Sequence, residues 1–275
     1  MESLADALSR TRAARAAAVA VDDGGIVEYA GDLDEVFELA SVTKMLVAYA
    51  VLVAVEEGTV TLQQLAGPPA PPGATLRHLL AHASGLGGEE SDGIVAQPGT
   101  QRIYSNAGFE LLGRIVAEAS GMAFEQYLAE AVFEPLGMDA SSLTGSPARG
   151  GRSSCRDLAR FATELLSPTL LAPETVAAAT SVAFPGLAGV LPGFGPVRAL
   201  DWGLGFEIRD GKQPHWTGAK NSPETFGHFG KSGTFCLVDP VERLGIVVLT
   251  DRPFGGRAKR AWPPLADGVI ERHRS

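Results

Sequence analysis

The chain has 275 residues, with 23 Lys and Arg against 32 Asp and Glu and a formal net charge of −9. That length buries roughly three-quarters of an extended chain's surface, enough for one large domain or two joined lobes. An acidic surface without a long basic run argues against a nucleic-acid or anionic-membrane partner, and Cys155 and Cys236 alone make neither a disulfide framework nor a metal spacing, so both are expected to be reduced and packed.

Residues 1–20 hold no sustained apolar stretch before a small-residue cleavage site, so the reading is of a chain without a secretory signal, in the cytoplasm. AAVAVDDGGIVEYA (17–30) places two β-prone runs around a DDGG turn, so the chain is expected to begin with an antiparallel hairpin. ELASVTKMLVAYAVLVAVEEG (38–58) is apolar around most of a helical circumference and is stopped by Gly58. The run between Lys44 and Glu56 falls short of the roughly 20 apolar residues a bilayer demands, so this is a core helix.

After GPPAPPG (67–73) the pattern predicts a helix near 75–82 and a glycine-rich loop over 84–99. Phe109, Leu112, Ile115, Val116 and Ala119 recur at helical spacing up to Gly121, and Phe124, Leu128, Ala131 and Val132 continue in a second helix. Ser154 with Asp157 reads as a capping box opening a third helix, with Leu158, Phe161 and Leu165 on its inner stripe. PGLAGVLPGFGP (185–196) breaks helical periodicity, and GLGFEIR, TFCLV and RLGIVVLT read as strands, the last two joined as a hairpin through DPVE. A short helix after Pro263 and Pro264 closes the chain. The fold class expected is therefore α+β, an antiparallel sheet with an inserted helical lobe.

One cation in the core helix needs a reason. Residues three apart share a helical face, so Lys44 reaches the Ser41 hydroxyl. Burial and the positive helix end both disfavour a charged amine there, lowering its pKa toward a range where it accepts a proton, and a serine beside such an amine becomes a nucleophile. An isolated S-x-x-K is more often a cap beside a snorkelling lysine, so the pair needs further residues. YSN (104–106) presents a phenol and a carboxamide just before a helix, and FGHFGKSGTFCLVDP (226–240) puts His228 and small residues at a strand entrance, where a substrate's backbone can approach closely.

With these segments the sequence resembles the serine β-lactamase and penicillin-binding protein superfamily, in its class C β-lactamase and esterase-like branch. SVTK (41–44), YSN (104–106) and HFG (228–230) match its S-x-x-K, Y-x-N and H-x-G motifs in order, and TLRHLLAHASGL (75–86), FEPLGM (133–138), WGLGF (202–206) and VDPVERLGIVVLT (238–250) support the match. The resemblance implies a β-lactamase/transpeptidase-like fold: a five-stranded type of antiparallel sheet flanked by N- and C-terminal helices. It spans one domain over 1–275, with a sheet lobe of about 1–58 plus 168–275 and a helical lobe of about 59–167. It also implies acyl transfer. Ser41 attacks a carbonyl, Lys44 and Tyr104 pass its proton to the leaving group, Asn106 orients Lys44 and substrate, and the N–H groups of Ser41 and Lys231 form the oxyanion hole beside His228, Phe229 and Gly230. KSG (231–233) is the alternative register of the third motif. Phe229 stands where the family tends to carry Thr or Ser, which removes a hydroxyl that commonly contacts a substrate carboxylate.

The expected activity is cleavage of a small carboxylic ester or amide through an acyl-enzyme on Ser41. Esterase is favoured over β-lactamase, D,D-peptidase or D-aminopeptidase action, because a chain without an export signal does not meet peptidoglycan. A non-catalytic binding protein on the same fold is a further alternative. The partners expected are small-molecule esters, amides or peptides, with no cofactor and no metal. His78 and His82 are spaced i, i+4 but lack the intervening acid of H-E-x-x-H and read as structural. GHFGKS is too short between its glycines for a phosphate loop, and HASGL and GKSGT both miss the G-x-S-x-G elbow. Trp202, Trp216 and Phe229 could line a cleft, though aromatics near strands are more often core.

Overall fold

The computed structural model describes residues 2–274. The chain starts on a helix, α1 (Leu4–Ser9), capped by Ser3, whose Oγ accepts the Asp6 N–H. Six residues are too few for an apolar period to register, which is why the sequence reading begins with strands. The hairpin β1 (Ala16–Asp22) and β2 (Gly25–Ala30) follows as expected. After β3 (Val36–Glu38), a single 3-10 turn over Ala40–Val42 carries Ser41 into α2 (Thr43–Glu56), in which every residue from Thr43 to Leu52 is buried. Gly58 takes φ +77° just past that helix, the left-handed stop read from the sequence.

Helices α3 (Leu76–Leu80), α4 (Asn106–Ser120) and α5 (Phe124–Leu128), the last running on as a π-helical turn to Phe133, make up the middle of the chain. Strands β4 (Ser142–Leu143) and β5 (Gly151–Ser154) pair with each other, and β5 pairs with β3 in a small antiparallel sheet. Then comes α6 (Cys155–Leu166), N-capped by Ser154. Only half of the expected capping box forms: Ser154 Oγ accepts the Asp157 N–H, while the Asp157 carboxylate turns to the Ala140 N–H and the Ser141 hydroxyl. Helix α7 (Pro173–Ala179) leads into a hairpin, β6 (Gly189–Leu191) and β7 (Gly195–Val197), inside the segment whose Pro and Gly density reads as irregular.

The remaining strands are β8 (Glu207–Ile208), β9 (Phe226–Gly230), β10 (Thr234–Asp239) and β11 (Leu244–Thr250), followed by α8 (Gly256–His273). The main sheet is antiparallel and has six strands, ordered β2-β1-β11-β10-β9-β8, where a five-stranded type was expected. The sixth is the two-residue β8. Of GLGFEIR only Glu207 and Ile208 join the ladder, because Leu204 and Gly205 spend their N–H groups on Ala179 O and Leu80 O. Gly205, at φ +94°, lies so close to Ala48 that a Cβ would sit 2.1 Å from the alanine methyl.

Alternate residues of β1, β10 and β11 are buried on opposite faces. Val19, Val21, Cys236, Val238, Val247 and Leu249 pack on one side with α2 and α6, and Ala18, Ala20, Phe235, Leu237, Ile246 and Val248 on the other with α1 and α8. Burial on both faces explains the unbroken apolar run of RLGIVVLT. Helix α6, which the sequence division groups with the middle helices, lies against β1 and β11. Both cysteines are free and buried, and burial pushes the Cys236 thiol up to about 12.

The closing helix differs most from expectation. It starts at Gly256 and runs through Pro263 and Pro264. A proline inside a helix costs about 3 kcal/mol or more, but Ala258, Ala261, Trp262, Leu265, Ala266, Val269 and Ile270 keep a continuous buried stripe against the sheet across both prolines. Packing of that stripe outweighs the two lost donors. Among the described residues, no helix is long and apolar enough to cross a membrane.

Candidate active site

Ser41, Tyr104, Asn106, His228, Phe229 and Lys231 line one cavity of about 400 Å³, and Lys44 lies buried beneath it. The three sequence motifs therefore meet although they come from the turn before α2, the loop before α4, and β9. Lys44 stands in the first turn of α2, wholly removed from solvent, and its Nζ donates to Asn106 Oδ1 at 2.7 Å and to Ala148 O at 2.9 Å. Burial, with help from the Arg149 guanidinium and against the pull of Glu110 and Glu89, brings its pKa down to about 7. A neutral amine has two N–H groups and one lone pair. With both hydrogens given to oxygen acceptors, the lone pair is the position left to take a proton.

Asn106 is the first residue of α4, and its amide is fixed from both ends: Oδ1 accepts from Lys44 and Nδ2 donates to Glu89 Oε1 at 2.8 Å. Ser105 N-caps the same helix by accepting the Gly108 N–H, and its own hydroxyl donates to Gly87 O. The loop that presents Tyr104 is thus tied down on either side of the YSN triplet. Burial raises the Tyr104 phenol well above its ordinary value, against a smaller lowering by the Ser41 side chain. The Lys44 ammonium position lies 4.8 Å from the Tyr104 ring centroid.

His228 points from β9 toward the same phenol, with Nε2 3.4 Å from the Tyr104 hydroxyl. Its Nδ1 lies 2.7 Å from Phe229 O, and since a carbonyl only accepts, Nδ1 carries the proton. Burial and the neighbouring Lys44 push the ring's pKa down to about 3, so it is neutral and Nε2 offers a lone pair to Tyr104.

Gly230, at the end of β9, is a close-approach position to the protein's own chain: a Cβ there would meet Leu39 O at 2.2 Å and Thr234 Oγ1 at 2.5 Å. Thr234 Oγ1 also donates to Leu39 O, so the end of β9 is fastened to the turn that carries Ser41. That junction sets the spacing between the N–H groups of Ser41 and Lys231, neither of which has a protein acceptor among the described residues. HFG lies on β9, whereas KSG forms the β9–β10 turn, with Gly233 at φ +94° and Ser232 Oγ against Thr234 Oγ1. Phe229 is buried and packs on Phe254, ring centroids 4.6 Å apart, while contributing to the cavity wall. Trp202 also lines the cavity, whereas Trp216 belongs to the core under the sheet and donates its Nε1 proton to Glu207.

The two HLLAH histidines are committed to the backbone: His78 Nδ1 accepts the Thr75 N–H and His82 Nδ1 accepts the Ser105 N–H. His82 nonetheless reaches the site as packing, with its ring 4.7 Å from that of Tyr104 and 4.6 Å from that of Trp202. Two buried charged residues escape sequence reasoning. Arg102 donates to the carbonyls of Leu200, Ala81, Ala183 and Phe184, drawing together the segments around Tyr104. Glu207 lines the cavity with its oxygens held by His215 Nε2 at 2.8 Å and Trp216 Nε1 at 2.7 Å. Burial pushes this carboxyl up, but His215 and Lys212 outweigh burial and leave it below its ordinary range. No local signal marks either residue, because their partners lie on other segments of the fold.

Comparison with known proteins identifies the family. The family model for β-lactamase matches residues 1–269. The crystal structure of a β-lactamase from Mycobacterium bovis is 52% identical, covers 96% of each chain and superimposes with a TM-score of 0.93. EstCE1, a hydrolase with promiscuous acyltransferase activity, shares the fold at 17% identity, with a TM-score of 0.82 over 97% of this chain and 96% of its own. Among curated proteins, the D-alanyl-D-alanine-carboxypeptidase/endopeptidase AmpH of Escherichia coli K12 is 32% identical over 148 residues, 42% of this chain and 38% of that protein. The chain thus matches less than half the length of AmpH. With its model matched over nearly the whole chain, the family is established: this protein belongs to the β-lactamase family of serine hydrolases.

Proposed function

We propose that the protein is a serine hydrolase that cleaves a small carboxylic ester or amide through an acyl-enzyme on Ser41, with esters the favoured substrates. The observation that carries this reading is the Lys44 amine: fully buried, with a pKa near 7, and both N–H groups spent on Asn106 and Ala148. At neutral pH a large share of it is unprotonated. Ser41 Oγ bonds to the substrate carbonyl carbon as its proton passes to Lys44. Tyr104, whose phenol keeps its proton, relays a proton to the leaving oxygen or nitrogen as that bond breaks. His228 Nε2 orients the phenol, and the N–H groups of Ser41 and Lys231 hold the oxyanion. Water then attacks the acyl-enzyme with Lys44 and Tyr104 acting in reverse.

Phe229 supports the preference for esters, since it offers an apolar face where a hydroxyl would hold a carboxylate. Cleavage of D-alanyl peptides is the second reading, supported by the likeness to AmpH.

The test measures p-nitrophenyl acetate and nitrocefin turnover by the wild type and by Ser41→Ala, with intact mass for the acyl-enzyme. Loss of ~10⁴-fold or more in the variant is expected. Wild-type turnover by Ser41→Ala on both substrates would remove Ser41 as nucleophile.

A further inference from the structure

The catalytic cavity has two unlike sides. At its mouth stand Lys231 and the Arg149–Glu89 pair, joined at 2.8 Å. Much of the remaining lining is apolar: Leu191 and Pro192 from the β6–β7 hairpin, Trp202, Phe229 and Phe254. Glu207 also lines the cavity, a buried carboxylate already engaged by His215 and Trp216.

The hairpin is fastened there. Lys259 Nζ, from the first turn of α8, donates to Gly193 O and sits 4.8 Å from the Phe194 ring centroid. The Phe194 ring in turn stands edge-on to Phe229, centroids 6.3 Å apart, and lies 6.0 Å from Phe254. The Phe254 N–H donates to Lys231 O at 2.9 Å, so the aromatic wall and the strand end beside Ser41 are linked through the backbone.

We infer that this wall is an acyl-group pocket: it takes an uncharged apolar acyl chain longer than acetyl, turns away acyl groups that end in a carboxylate, and has Lys259 as the positioning residue that holds the hairpin against it. The inference rests on the Ser41 acyl-enzyme reading. Its physical basis is simple. Each methylene of the acyl chain that leaves water for the wall gains a factor of about four, equivalent to ~0.8 kcal/mol. A terminal carboxylate would lose its hydration beside aromatic rings and face the Glu207 anion in a medium that screens poorly.

The experiment compares kcat/KM for p-nitrophenyl acetate, butanoate and hexanoate, and for two phenyl esters of equal acyl length, phenyl pentanoate and phenyl hydrogen glutarate. The pocket predicts about a tenfold rise from acetate to butanoate and a further rise at hexanoate, with the glutarate ester at least 100-fold poorer than the pentanoate. In Lys259→Met the KM for hexanoate rises about fivefold while its kcat stays within about twofold, because loosening the hairpin weakens acyl binding without touching the reacting groups. A flat or falling profile, or equal use of glutarate and pentanoate, would overturn the pocket. A fall in kcat without change in KM would overturn the role of Lys259. Ser41→Ala keeps the outcomes separate: if it is inactive on every ester while the profile is flat, the pocket fails and the serine reading stands, whereas an active Ser41→Ala removes the reading on which the pocket rests.

Discussion

Lys44 and Arg102 are both cations removed almost entirely from water, and both donate only to uncharged oxygen acceptors, yet they end in different states. Burial brings the Arg102 guanidinium down to about 10, so it remains charged at neutral pH. The same penalty brings Lys44 to about 7, at the edge of deprotonation. The difference lies in starting basicity and in donor supply. A guanidinium delocalises its charge and spreads it over a fork of donors, which Arg102 spends on four carbonyls. An ammonium is a compact charge, and Lys44 finds two acceptors for three hydrogens. One buried cation ties loops together, and the other stands at the edge of losing its proton.

The comparison breaks most visibly if Lys44 becomes an arginine. Lys44→Arg keeps a cation but cannot release its proton, so kcat/KM is expected to fall by about 10³–10⁴-fold, read in an ester assay on folded protein. The converse change acts on stability. Arg102→Ala leaves four carbonyls without a buried donor and is expected to cost about 4 kcal/mol, lowering Tm by roughly 10 °C in a calorimetric scan. Arg102→Lys restores part of that set and should fall between, at about 2 kcal/mol, since a lysine cannot reproduce the fork.

The effect of pH carries a sign. The folded pKa of Lys44 is depressed from 10.5 to about 7, so between those values the unfolded chain binds more protons than the folded one. Stability linked to this residue therefore rises with pH across that window and is lost as pH falls through about 7. Lys44→Met, inactive, is expected to have its greatest Tm advantage over the wild type at pH 6–7, shrinking by roughly 10 °C toward pH 10. An advantage that grows with pH would contradict a depressed Lys44.

What the sequence discloses follows the same division. Ser41 and Lys44 are one helical turn apart, and Tyr104 to Asn106 and His228 to Gly230 are short local patterns, so the candidate residues that meet at the cavity are legible without coordinates. Gly58 as a stop and RLGIVVLT as a strand are local too. Arg102 is not legible, because its acceptors lie at residues 81, 183, 184 and 200 and only the fold brings them together. Glu207 reads as the polar residue of a strand, and its burial depends on His215 and Trp216 arriving from a following loop. The β6–β7 hairpin hides in a Pro- and Gly-rich segment, and the α8 prolines mimic a helix start, because in both cases tertiary packing overrides a sound local rule. Gly230 is a close-approach position whose partner, Leu39 O, lies on a distant segment that only the fold brings near.

The central claim is that the Lys44 amine is uncharged when Ser41 reacts. The most direct measurement is the rate of Ser41 labelling by a neutral fluorophosphonate from pH 5 to 10, read by intact mass. The rate should rise about tenfold per pH unit below pH 7 and level off above it, with the plateau lost in Lys44→Arg. A rate independent of pH, or one still climbing through pH 9 to 10, would contradict it.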